Sequence, residues 1–87
     1  MGHEPHPESQ RLHFTVRAYE IDGGAWHLSV DELPDSWTVA FSRDEREARA
    51  RHRVALDLGG HPDDFDLTLK PAGRLFLERR AYERLSN

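Results

Sequence analysis

The chain has 87 residues, a formal net charge of −4 and no cysteine, which suits one small domain and excludes disulfides and thiolate metal centres. Charged residues make up 32% of it and hydrophobic residues 37%, so its core is thin and a deep, water-excluding catalytic pocket is not expected. The acidic balance argues against sequence-independent nucleic-acid binding, which needs clustered positive charge, and suits a basic partner.

Residues 1–10 (MGHEPHPESQ) combine two prolines with polar side chains and show no period; they predict a disordered leader. Residues 12–19 alternate, with Leu12, Phe14, Val16 and Ala18 against His13, Thr15, Arg17 and Tyr19. Period two with β-forming residues predicts a half-buried strand. Asp22-Gly23-Gly24 supplies the positive φ angles of a hairpin turn, so residues 25–30 should return antiparallel. Trp26, Leu28 and Val30 would share one face of that strand; Ala25, His27 and Ser29 would share the other. Pro34, in Asp31-Glu32-Leu33-Pro34-Asp35, marks a further turn. Residues 36–41 then give a third strand, with Trp37, Val39 and Phe41 opposite Thr38 and Ala40.

The period then changes. Ser42-Arg43-Asp44-Glu45 has the spacing of a capping box, and it opens a helix expected over residues 42–58. Ala50, Val54 and Leu58, with Ala48 and Ala55 beside them, form a narrow stripe of small residues that would seat this helix closely on a sheet. Gly59-Gly60 ends it and Pro62 forbids its return. Residues 65–70 alternate again as a fourth strand, and Pro71-Ala72-Gly73 is expected to stop it. Leu77, Ala81 and Leu85 have helical spacing among helix-favouring Glu, Arg and Leu, predicting a C-terminal helix over residues 74–85.

The order is thus βββαβ plus a C-terminal helix, an α+β sheet-against-helix domain. Its expected divisions are a leader at 1–10, the domain at 11–70 and a helical extension at 71–87. No apolar run approaches the ~18 residues of a membrane span, and a cytoplasmic location is expected.

In order and spacing, several short stretches together resemble the small HicB-like antitoxins of bacterial toxin–antitoxin pairs. They are Asp22-Gly23-Gly24, Glu32-Leu33-Pro34, Thr38, Asp44-Glu45, Glu47-Ala48, Val54-Ala55-Leu56 and Asp63-Asp64-Phe65-Asp66-Leu67. Asp35 and Ala40 stand where that family often has glycine. The resemblance covers roughly residues 14–69. It implies a degraded RNase H-like fold that neutralises a small, basic, RNA-cleaving toxin. It also implies a solitary partner-binding domain, since the DNA-binding half of full-length members has no counterpart here.

Chemistry-bearing patterns are sparse. A two-metal nuclease needs carboxylates on the central strand around ions ~4 Å apart, whereas the first strand offers only His13, Thr15 and Arg17. His61, Asp63 and Asp64 could approach a divalent ion, but acidic loops usually face water. Arg43, Arg46, Arg49, Arg51 and Arg53 invite an RNA-binding reading. They are interleaved with acids in pairs such as Glu45–Arg49 and Glu47–Arg51, which favours a salt-laced solvent face. Neither a nucleophile motif nor a phosphate-binding glycine loop is present.

The sequence therefore points to a non-enzymatic protein-binding module with no cofactor, no metal and no direct nucleic-acid contact. Its expected contact residues are Trp26, Asp31, Glu32, Asp35 and Trp37. A homodimer is expected too, because the core is thin and both tryptophans need burial.

Overall fold

The structure, a computed structural model, describes residues 11–76. Among the described residues four strands form one sheet: β1 (Leu12–Ile21), β2 (Ala25–Val30), β3 (Trp37–Ala40) and β4 (Phe65–Arg74). One α-helix among them, α1 (Arg46–Leu58), connects β3 to β4. The spatial order is β3-β2-β1-β4. β1 pairs antiparallel with β2, and β2 with β3, while β4 runs parallel to β1. The chain thus meanders through three strands, then uses the helix to reach the far edge of the sheet. This is the α+β class and the βββαβ order that the periodicity implies.

The hairpin between β1 and β2 closes with Ile21 opposite Ala25. Gly23 and Gly24 both have positive φ, 87° and 74°, a backbone state that side chains resist. Nothing crowds the Cβ position at Gly24, so the requirement there is conformational, not steric.

Phe14, Val16 and Ala18 from β1, Leu28 and Val30 from β2, Ala40 from β3 and Phe65 from β4 are buried against Ala50, Val54 and Ala55 of α1. Trp26, Leu33, Leu67 and Leu69 pack around this cluster. On the other face, Ile21, Ala25 and Val39 form a second buried group, with Phe41 and Leu75 against it.

Five expectations change. Leu12 is exposed: it begins β1 where β4 pairs with it but β2 does not reach, since the β1–β2 pairing starts at Val16. Leu58 is 43% exposed, and Ala48 is also exposed. At 3.6 residues per turn Leu58 lies angularly between Val54 and Ala55, so its exposure means the helix end overruns the sheet. The capping box forms differently. The chain enters α1 through a 3-10 turn at Arg43–Glu45, and the Ser42 side chain makes no cap bond. That tighter turn carries the Glu45 carboxylate one residue further back, where it accepts from the Phe41 amide at 3.2 Å. The helix does end at Gly59 in the left-handed region, with the Gly59 and Gly60 amides both donating to the Ala55 carbonyl.

The fifth change concerns residues 71–76. Pro71 does not stop β4, which continues to Arg74 across the expected division at 70/71. Pro71 lies opposite Ala18 and Arg74 opposite Glu20, so Ala72 and Gly73 together face Tyr19 alone. That is a bulge, and the Gly73 φ of 99° permits it. Among the described strands β4 lies at the edge of the sheet, where a proline is tolerated. The Leu75 amide then donates to the Glu20 carbonyl at 2.8 Å. Residues 74–76 are therefore not helical. The rest of the expected C-terminal helix, like the expected leader, lies outside the described residues.

Candidate functional site

The turn after β2 is built as a rigid mount. Beyond the last β1–β2 pair the ladder continues, with the Asp31 amide donating to the Thr15 carbonyl at 2.9 Å. The Thr15 amide donates to Glu32 Oε1 at 2.8 Å, so a side-chain carboxylate supplies the next rung. The Val30 amide reaches the Ser36 carbonyl and the Ser36 amide reaches the Leu33 carbonyl. Leu33 anchors the loop against the main core. On this frame Asp31, Glu32 and Asp35 are all exposed.

Their side chains straddle the end of the sheet. Asp31 accepts from Arg17 Nε at 2.7 Å on the face away from α1. That hydrogen bond, and then the charge of Asp31, push the Arg17 guanidinium pKa above its ordinary value. Asp35 instead lines a hollow of about 290 Å³ with Leu33, Pro34, Ser36, Arg53 and Asp57 on the helix side.

The two tryptophans separate. Trp37 begins β3 directly after the acidic turn and is 37% exposed. It stacks on His27, with ring centroids 5.2 Å apart and planes 17° apart. Tyr19 continues the row from β1, its ring 6.1 Å from that of His27. Trp26 lies on the opposite, helix-covered face and at the other end of β2, opposite Ala40. Of the five expected contact residues, the structure gathers Asp31, Glu32, Asp35 and Trp37 at one end of the sheet. It removes Trp26 from the group, because strand alternation sends positions 26 and 37 to different faces.

His27 is half-buried, and loss of hydration lowers its pKa below the ordinary imidazole value. The folded state thus binds a proton less readily than the unfolded chain. The resulting stability is complete above the unfolded pKa of about 6.5 and is lost as pH falls through the lower folded value. Replacing His27 with Gln should flatten this part of the acid-side decline, measured as urea stability between about pH 7 and 5. An unchanged slope would place the titration elsewhere.

No family model, curated protein or solved structure matches this chain.

The other sequence candidates resolve into structural roles. Among the described residues no group of three or more His, Asp or Glu side chains is placed to hold a metal ion. His61, Asp63 and Asp64 close their own turn: the His61 amide donates to Asp64 Oδ2 at 3.1 Å and the Asp63 amide to His61 Nδ1 at 3.2 Å. Three helix arginines are taken up in i,i+4 pairs: Arg49 with Glu45 at 3.8 Å, Arg51 with Glu47 at 2.9 Å and Arg53 with Asp57 at 3.2 Å. No described helix is long and apolar enough to cross a membrane. Sequence reading missed the pairing of His27 with Trp37. Their cross-strand diagonal placement depends on the β2–β3 register, which the sequence does not state.

Proposed function

We propose that this chain is a non-enzymatic, cytoplasmic protein-binding module of the HicB-like antitoxin type, neutralising a small basic RNA-cleaving toxin. The observation that carries this reading is the hydrogen-bonded acidic turn. Asp31, Glu32 and Asp35 are exposed on a hydrogen-bonded frame at the end of the sheet, Asp31 on the face that carries Trp37 and Asp35 on the helix side. Preorganised carboxylates next to an aromatic anchor suit a basic protein surface, because they steer encounter without further ordering cost. The net charge of −4 agrees in sign, and the βββαβ order is compatible with the fold that the resemblance implies. The pairing of Arg49, Arg51 and Arg53 with acids weighs against RNA binding along the body of the helix. Homodimerisation belongs to the same proposal; sedimentation at the mass of one chain, 10.1 kDa, would remove it.

The test uses the product of a neighbouring reading frame that encodes a short basic polypeptide. Co-expression should relieve its RNA cleavage, and binding should weaken with salt. Asp35→Lys should slow association by about tenfold, and Trp37→Ala should raise Kd by about thirtyfold, the equivalent of ~2 kcal/mol. Failure to bind such a polypeptide, with salt-dependent binding of single-stranded RNA instead, would overturn the proposal.

A further inference from the structure

A second concave site lies on the helix side of the sheet, at the end away from the acidic turn. Its volume is about 370 Å³, within the range of small-molecule pockets. Three arginines line it, Arg43 and Arg46 from the entry to α1 and Arg74 from the end of β4, together with Trp26, Pro71 and Glu20. Three cations gather here with two carboxylates, Glu20 in the lining and Asp22 on Arg74, a local positive excess in a chain of net charge −4.

Two of the three guanidinium groups, those of Arg46 and Arg74, are already positioned. Arg46 lies over the Trp26 ring, 5.3 Å from its centroid, and its Nε donates to the Arg43 carbonyl at 3.2 Å. Arg74 is held by Asp22 at 2.7 Å and by Glu20 at 3.9 Å. Among the described residues neither Arg43 nor Arg46 has a carboxylate partner, unlike the other three arginines of this helical segment.

We propose that this cavity binds a small phosphate monoester. A phosphate monoester carries nearly two negative charges and three terminal acceptor oxygens. Arg43 and the Nη groups of Arg46, neither paired with a carboxylate among the described residues, match that set, and a guanidinium fork can engage two oxygens at once; Arg74, shared with Asp22 and Glu20, adds its remaining positive field. The cavity has room for an organic group against Pro71 and the edge of Trp26, with Glu20 as an acceptor for its hydroxyls. This inference is independent of the toxin-binding reading, which uses the other end of the sheet.

Amide and indole NMR of the full 87-residue chain, titrated with AMP, inorganic phosphate and adenosine, tests it. AMP should shift the Trp26 indole and the Gly73 and Arg46 amides saturably, with inorganic phosphate weaker and adenosine without effect. The Trp37 indole, on the opposite face, should stay in place. Replacing both Arg43 and Arg46 with Ser should raise Kd at least about tenfold. Arg43→Gln, at an exposed position that leaves the Trp26 contact intact, should show a smaller loss in the same direction. Arg49→Ser, outside the cavity, should change nothing. Absence of saturable shifts up to about 10 mM ligand, equal binding of adenosine, or binding indifferent to Arg43→Gln would each overturn the proposal.

Discussion

Val54→Asp is expected to unfold the domain. Val54 is 0% exposed and sits in α1 where the helix meets the sheet, among Val16, Leu28, Ala40 and Phe65 of the main core. A carboxylate there would lose its hydration without gaining a partner, at a cost of about 4 kcal/mol or more. A domain this small has only ~4–10 kcal/mol of total stability, so one such group removes most of it. Circular dichroism should show loss of the cooperative thermal transition. Leu58→Asp is the informative control. Leu58 belongs to the same sequence stripe but is 43% exposed, and its replacement should cost only about 1–1.5 kcal/mol, from partial loss of burial and a negative charge at the helix C-terminus. A folded Val54→Asp protein, or an unfolded Leu58→Asp protein, would contradict the helix placement.

That pair also shows where sequence periodicity stops being informative. Spacing identifies which side of a helix faces the sheet, and it did so for Ala50, Val54 and Ala55. It carries no information about how far the sheet extends beneath the helix. β1, β2 and the Asp22-Gly23-Gly24 turn were legible because alternation and positive φ are local properties. The course of β4 was not. Pro71-Ala72-Gly73 has the composition of a stop, yet at a sheet edge beside β1 the same residues make a bulge that carries the strand on to Arg74. Whether a proline ends a strand depends on which neighbour the strand has, and here that neighbour lies more than fifty positions away.

The candidate site divides in the same way. The acidity of the turn and the exposure of Asp31, Glu32 and Asp35 follow from composition. The use of Glu32 as a rung of the β1 ladder depends on the turn folding back along β1. The arginine cavity was hidden for a related reason. Arg43, Arg46 and Arg74 come from opposite ends of the α1–β4 unit. In the sequence Arg43 looks no different from the paired arginines that follow it, with Glu47 four residues on, and only Arg46 lacks an acid at helical spacing.

The second large effect is expected at Phe65, the residue that ties the helix exit to the new strand. Its ring is 1% exposed and meets Phe14 edge-on, with centroids 5.5 Å apart. The Arg51 guanidinium lies 5.7 Å from the ring centroid. Arg51 Nη1 also donates to the carbonyls of Pro62 and Phe65, each at 3.0 Å, while its Nε is held by Glu47 at 2.9 Å. A helix side chain thus clamps the loop that sets β4 beside β1. Phe65→Ala would leave a cavity and remove the ring contacts, costing about 3–5 kcal/mol. Phe65→Leu should keep the fold at a cost of ~1–1.5 kcal/mol. Arg51→Ala should cost ~1–2 kcal/mol, because two carbonyls lose their donor. In urea denaturation the Phe65→Leu and Arg51→Ala losses should fall short of additivity by about 0.5 kcal/mol or more, since each variant removes the cation–ring contact. Strict additivity would mean that Arg51 acts through the two carbonyls alone. Loss of less than about 1 kcal/mol in Phe65→Ala would mean that β4 is held in place by its ladder with β1, independently of this clamp.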